Sequence, residues 1–469
     1  MPNHPAPSAE PPGREAWLQA VARTLKGAPI ESLSTRTAEG FEIEPLYDRG
    51  GLAGPVRTEA GWDVRAHINA ADPAEANALA HEALGGGATS LLLRLGGGIA
   101  SAEDMARALD GVVLEAAPAA LDAGFLGSLA AGWLAEAVKG SPTARVAFHL
   151  DPLSAFAEAG ESPGPIRAHV VRAAEMAGGL AATCPAASLF LASGRVAHEA
   201  GGSAALELGM MAAAAVAYAR ALAGAGLPVE AAFARIALGL AVDGDLLVSI
   251  AKPRAARRIW ARIALACGAE APARIEVRSS QRMLTAADPW TNLLRLTLAG
   301  FAGAVGGADA LVLGAFTDAL GRPAQRARRL ARNTQLILMQ EARLGLVADP
   351  AAGAWAIEAV TDQLARLGWS AFRAIEREGG LAAALTSGLV ADQVAEVRSA
   401  LMLEIAEGRR PVLGITDYPD PEPHPIEVES VADGGHPDAA LPGPDSRCPP
   451  LAPMRLSAMA EAVALDLAP

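Results

Sequence analysis

From residue 63 to residue 316 the chain repeats one pattern: a short apolar run, a turn, and an alanine-rich segment with helical periodicity. The candidate strands are 63–68 (DVRAHI), 88–95 (ATSLLLRL), 112–116 (VVLEA), 145–150 (RVAFHL), 187–192 (ASLFLA), 235–241 (RIALGLA), 274–279 (RIEVRS) and 309–316 (DALVLGAF). Helical stretches at 73–84, 101–109, 123–138, 165–178, 203–223 and 251–267 lie between them. A helix between successive strands makes the strands parallel, with right-handed crossovers. Eight such units in about 250 residues point to an α/β chain folded as a (β/α)8 TIM barrel. The competing open, doubly wound sheet normally carries a glycine-rich phosphate turn, and no dinucleotide fingerprint or P-loop is present.

The flanks read differently. Residues 1–12 are polar and proline-rich and read as disordered, and Arg14 to Lys26 form an amphipathic helix with Trp17, Leu18, Val21 and Leu25 on one face. Residues 30–59 are loop-like. Two long helical segments, about 322–346 and 354–375, follow the last strand, joined by the turn ADPAAGAW. Segment 411–454 is dense in Pro, Gly, Asp and Glu and reads as an extended arm, closed by a short helix from Arg455 to Leu467. Three regions result: an N-terminal arm (1–60), the barrel with its trailing helices (61–380), and a helical extension with a C-terminal arm (381–469).

Hydrophobic residues make up 51 % of the 469 and charged ones 19 %, which suits a large core and excludes global disorder. The net charge of −13 argues against nucleic acid, whose phosphates need a basic face. Cys184, Cys267 and Cys448 lie far apart and read as reduced thiols. The N-terminus lacks the basic start and apolar run of a signal peptide, and the most apolar stretch, Leu208 to Tyr218, is too short to span a bilayer. A soluble cytoplasmic protein is expected.

Barrel chemistry sits at the C-terminal ends of strands. His67, His149 and His198 fall near such ends, but each stands alone, without the paired ligands of a metal site. Lys26 and Lys139 are misplaced for a Schiff base, and Lys252 opens a helix. The glycine turns 85–87, 96–98 and 306–307 suit tight connections as well as they suit a phosphate. Residue by residue, the sequence gives a barrel without an evident active site.

Several longer segments carry a resemblance: TRTAEGFEIEPLY (Thr35–Tyr47), GWDVRAHI (Gly61–Ile68), AHEAGGSAALELG (Ala197–Gly209) and IAKPRAARRIWARI (Ile250–Ile263). The densest are DPWTNLLRLTLAGFAGAVGGADALVLGAFTDALG (Asp288–Gly321) and RNTQLILMQEARLGLVADPAAGAWAIEAVTDQLA (Arg332–Ala365). Together, over about residues 15–415, they resemble the methylmalonyl-CoA mutase family, in particular its small (beta) subunit. That resemblance implies a barrel that takes an acyl-CoA along its axis, followed in catalytic chains by a cobalamin domain.

In catalytic chains of that family a Thr-Met-Tyr motif precedes the first strand. A Ser-Gly-Tyr-His motif ends the fifth, and a histidine in Asp-x-His-x-x-Gly ligates cobalt. Here the segment before Trp62 is VRTEAG, and Ser193-Gly194 is followed by Arg195-Val196. No Asp-x-His-x-x-Gly occurs; the nearest string is Asp433-Gly434-Gly435-His436. Arg278 falls where active chains have a CoA-proximal arginine, in an eroded motif. The chain is therefore expected to supply no catalytic, cofactor-binding or metal-binding residue, and no cobalamin domain. The resemblance implies an isomerase subunit, inactive alone, that forms a heterodimer with a catalytic large subunit. That subunit would hold the adenosylcobalamin. The alternative is a catalytic barrel of the isobutyryl-CoA type that uses cobalamin held on a separate chain.

One expectation concerns the barrel axis. A catalytic member keeps small polar residues facing a channel for the pantetheine arm. The bulky apolar residues Leu91, Leu93, Val113, Phe148, Phe190, Leu238 and Val277 are taken to face inward here, leaving no such channel. A slip of one residue in register would reverse that assignment.

Overall fold

The computed structural model describes residues 13–47, 54, 57–96, 98–141, 143–420, 422, 424, 426–429 and 444–466. Residues 1–12, expected to be disordered, and the string 433–436 lie outside that set. Eight parallel strands close into a barrel: β1 (Asp63–Ile68), β2 (Ser90–Arg94), β3 (Ala119–Asp122), β4 (Ala147–Leu150), β5 (Ser188–Ser193), β6 (Ile236–Val242), β7 (Ile275–Ser279) and β8 (Ala310–Val312). Each pairs with the next, and β8 returns to pair with β1. Seven of the eight lie where the alternation predicts.

The exception is β3. VVLEA (112–116) has the right alternation but forms turns, with the amides of Ala116 and Ala117 bonded to the Val113 carbonyl. Val113 is 62 % exposed. The strand is the alanine-rich AALD, which begins seven residues later, fixed because Leu91 of β2 donates to the carbonyl of Pro118. Small residues carry little strand propensity, so pairing with β2 decides its place.

Helix Leu246–Ala266 also differs, starting five residues before the predicted 251. Pro253 looks like a first-turn proline, but the N-cap is Asp245, whose side chain accepts from the Val248 amide, and Pro253 lies inside the helix.

Helix Ala204–Gly224 is long and apolar enough to cross a membrane, beyond the Leu208–Tyr218 stretch considered alone, yet it is packed inside the protein. One side lies on β5 and β6 and another on helix Trp355–Arg377. Glycines allow that close crossing: a Cβ at Gly209 would lie 2.6 Å from Ala371 Cβ, and one at Gly368 would lie 2.7 Å from Leu208 Cβ.

The arms behave unequally. Helix Arg14–Leu25 has no buried residue. The C-terminal segment instead returns to the barrel. Cys448 and Leu451 donate their amides to Gly160 and Ala157, Met454 to Glu199, and Leu456 to Arg282. The Glu461 carboxylate accepts from the Ala286 and Ala287 amides. These contacts follow the ends of β4, β5 and β7, so residues 448–461 form a strap across the C-terminal face.

Candidate functional site

Strand register decides what lines the axis. Asp63, Arg65 and His67 of β1 share a face with Ser90, Leu92 and Arg94 of β2, and the same row continues through Ala120 and Asp122 of β3 to Glu276 and Arg278 of β7. Leu92, Ala120 and Val312, with Ala147 against them, form an apolar cluster of their own, apart from the outer core. The residues expected inward belong to the opposite face. Leu91, Leu93, Phe148, Phe190, Leu238 and Val277 pack outward among the helices, and Val113 lies in a surface turn. Phe190, for example, stacks on Tyr218 of helix Ala204–Gly224 at 4.5 Å. The physical reason for the correction is that all eight strands are covered by helices, so the bulky residues belong to the strand–helix interface.

The axis is crossed by an ion network instead. Arg65 Nη1 of β1 donates to Glu276 Oε2 of β7 at 2.6 Å, and its Nε donates to Ser90 Oγ at 3.0 Å. Arg278 Nε donates to the other Glu276 oxygen at 2.8 Å, and its Nη1 lies 3.3 Å from Asp122 Oδ2 of β3. Asp122 also meets Arg94 at 3.2 Å and His67 Nε2 at 3.5 Å. Burial pushes the Glu276 carboxyl up, but the Arg278 and Arg65 guanidiniums outweigh it and hold it far below the carboxylate range. Asp122 is likewise held well down, against its burial, chiefly by Arg278. Glu276 is 3 % exposed and Arg94 is 51 % exposed, so the network runs from the closed centre to the open rim.

The three histidines separate. His67 sits at the rim. His149 is buried at a bulge in β4, in the left-handed region at φ 46°, and burial pulls its imidazole down to about 4, so it is neutral. His198 belongs to a second buried cluster: its Nδ1 lies 3.2 Å from Glu207, which also holds Lys252 Nζ at 2.5 Å. Glu207 Oε1 accepts from the Ala241 amide of β6. Beside them Arg282 holds Asp243 at 2.9 Å. Lys252 is therefore a structural cation. The sequence did not reveal this cluster, because its members come from five separated segments.

The glycine turns are packing devices. A Cβ at Gly98 would lie 2.5 Å from the Asp72 amide nitrogen, so its loop backbone abuts another backbone. Gly194 is pressed against the Glu207 carbonyl, and this close approach aims the Ser193–Val196 turn. Val196 is buried there. Arg195 has an Nε without a hydrogen-bond partner among the described residues.

Comparison with known proteins gives the ancestry. The methylmalonyl-CoA mutase family matches residues 92–436. The chain is 40 % identical to the methylmalonyl-CoA mutase small subunit of Streptomyces virginiae, over 85 % of this chain and 68 % of that one. The chain belongs to the methylmalonyl-CoA mutase family. A probable small subunit from Mycobacterium tuberculosis (strain ATCC 25618 / H37Rv) is 36 % identical, over 87 % of this chain and 71 % of its own. The small subunit of Propionibacterium freudenreichii subsp. shermanii is 29 % identical, over 86 % and 68 %. The resemblance read from the sequence sets Arg195 and Val196 against a Tyr-His pair, and both follow the end of β5 here. Val196 can neither donate a hydrogen bond nor carry a proton. Arg278, which lies in an eroded motif and is not expected to bind a CoA, pairs its guanidinium with Glu276 and Asp122.

Proposed function

We propose that this chain is the non-catalytic small subunit of a cytoplasmic, heterodimeric, adenosylcobalamin-dependent methylmalonyl-CoA mutase. It stabilises a large subunit that interconverts methylmalonyl-CoA and succinyl-CoA. The observation that carries this reading is the axial network. A pantetheine arm needs the volume that Arg65, Glu276 and Arg278 fill, and admitting it would break paired, buried charges, at about 3–5 kcal/mol for each pair broken by losing one partner.

Adenosylcobalamin supplies radical chemistry when bound. The residues at the C-terminal face do not fit it. Among the described residues His67 is engaged by Asp122, His149 is buried below, and the strap crosses the face. The cofactor is therefore assigned to the large subunit, and no step through it is ascribed to this chain. The unburied helix Arg14–Leu25 favours a partner, since an isolated helix of this length is marginal in water. Its Trp17, Val21 and Leu25 are only partly covered.

The test is an assay of the purified chain with methylmalonyl-CoA and adenosylcobalamin, alone and with the large subunit. No succinyl-CoA is expected from the chain alone, and a higher melting temperature is expected for the large subunit in the mixture. Turnover by the chain alone would overturn the reading in favour of a catalytic barrel.

A further inference from the structure

Segment 322–343 holds six arginines and one acid, Glu341, in a chain whose net charge is −13. Two of the arginines are neutralised: Arg322 by Glu75 and Glu429, and Arg328 by Glu82 and Glu429. Arg326, Arg329 and Arg343 are exposed, and no carboxylate lies within ion-pair distance of them among the described residues. Helix Gln325–Leu336 carries the first two. It continues into a π-helical turn, Ile337–Glu341, and Arg343 follows in the left-handed region at φ 59°. Wide turns of this kind recur at functional sites.

This segment packs beside helix Asn292–Val305, and both carry exposed apolar side chains. Leu294, Leu298, Ile337, Leu346 and Val347 are 45 % to 69 % exposed. The surface is held rigidly from beneath. Leu338 is buried against Gly300, and the buried Arg57 donates to the carbonyls of Val347, Ala304 and Ala308. Exposed apolar side chains and exposed arginines on adjoining, well-anchored elements, in a chain with only three lysines, have the composition of a protein interface.

We infer that this face, Leu294 and Leu298 with Arg326 to Val347, docks an acidic, apolar-centred surface of the large subunit; the inference rests on the heterodimer proposed above. Charge complementarity selects that occupant. A second copy related by a twofold axis would set arginine against arginine. Nucleic acid and anionic membrane would meet an otherwise strongly acidic protein, and neither needs five exposed apolar side chains on the elements that carry the arginines.

The experiment measures binding of the full chain to the large subunit of the same organism, across a range of salt. Three proteins are compared: wild type, the triple variant Arg326→Glu/Arg329→Glu/Arg343→Glu, and the variant Leu294→Ser/Leu346→Ser. All substituted side chains are exposed, and an unchanged melting temperature confirms folding. The wild-type affinity is expected to fall with salt, and each variant to bind at least about 10-fold more weakly, the triple variant mainly through slower association. A wild-type complex whose affinity neither variant alters would overturn this assignment while leaving the heterodimer standing. Failure of the wild type to bind at all would overturn both. Wild-type binding to heparin or phosphatidylserine vesicles at about 0.15 M salt, lost in the triple variant, would give the face to a polyanion and overturn the proposal.

Discussion

Asp318 follows β8, and its Oδ2 accepts from the Ala315 amide at 2.9 Å, with no cation paired to it among the described residues. Burial pushes its carboxyl up to about 7. In the unfolded chain it titrates near 4, so between about pH 4 and 7 the folded state holds more protons. Stability therefore falls as pH rises through that window, and the loss is complete above about pH 7. Asp318→Asn keeps an acceptor for Ala315 without the charge. It is expected to be more stable than wild type at pH 8, by on the order of 2–4 kcal/mol, and nearly equal at pH 4. Urea midpoints at both pH values check this; a difference that does not change with pH would refute it. The same loop shows a limit of sequence reading. Asp318 looks like any loop aspartate until the fold covers much of it and pairs it with a backbone amide but with no cation among the described residues.

At the scale of elements, the crossing of helix Ala204–Gly224 with helix Trp355–Arg377 depends on missing side chains. A Cβ at Gly368 would lie 2.7 Å from Leu208 Cβ and 3.0 Å from Ile259 Cδ1. Gly368→Val is expected to cost about 1–3 kcal/mol or more by pushing the helices apart. Gly132 is the contrast: in helix Gly127–Ala137 an added Cβ meets nothing within 4 Å. Gly132→Ala should stabilise by up to about 1 kcal/mol through helix propensity alone. Thermal melts of the two variants moving in opposite directions would bear this out, and destabilisation by Gly132→Ala would not. Element positions were mostly legible, because long alternating and 3.6-residue patterns survive tertiary context. They failed at β3, whose alanines carry no pattern, and at helix Leu246–Ala266, where Pro253 imitated an N-terminus.

For the whole molecule, the C-terminal strap is the largest departure from expectation. The proline-rich arm reads as a free extension, yet residues 448–461 bind the loops after β4, β5 and β7, burying Leu451, Ser457 and Glu461. Removing 444–469 is expected to lower the melting temperature by several degrees, since it strips carboxylate hydrogen bonds from two backbone amides and uncovers Leu451. Hydrogen exchange should then quicken around 157–160 and 282–287 while the strands stay protected. Unchanged exchange at those loops would show that the strap does not hold them.

The sequence alone determined the barrel, the strand count, most helix bounds and the kinship with methylmalonyl-CoA mutases, because each rests on local periodicity or on contiguous motifs. It also carries Arg195-Val196 after Ser193-Gly194, where the family resemblance implies a Tyr-His pair. Tertiary structure alone decided what lies inside the barrel. Arg65, Glu276, Arg278 and Asp122 are single charged residues within apolar strands, and nothing local tells which face they occupy. Parallel pairing around a closed ring set one parity for all eight strands, placing the bulky residues against the helices and the charges on the axis, where only their mutual pairing makes burial tolerable.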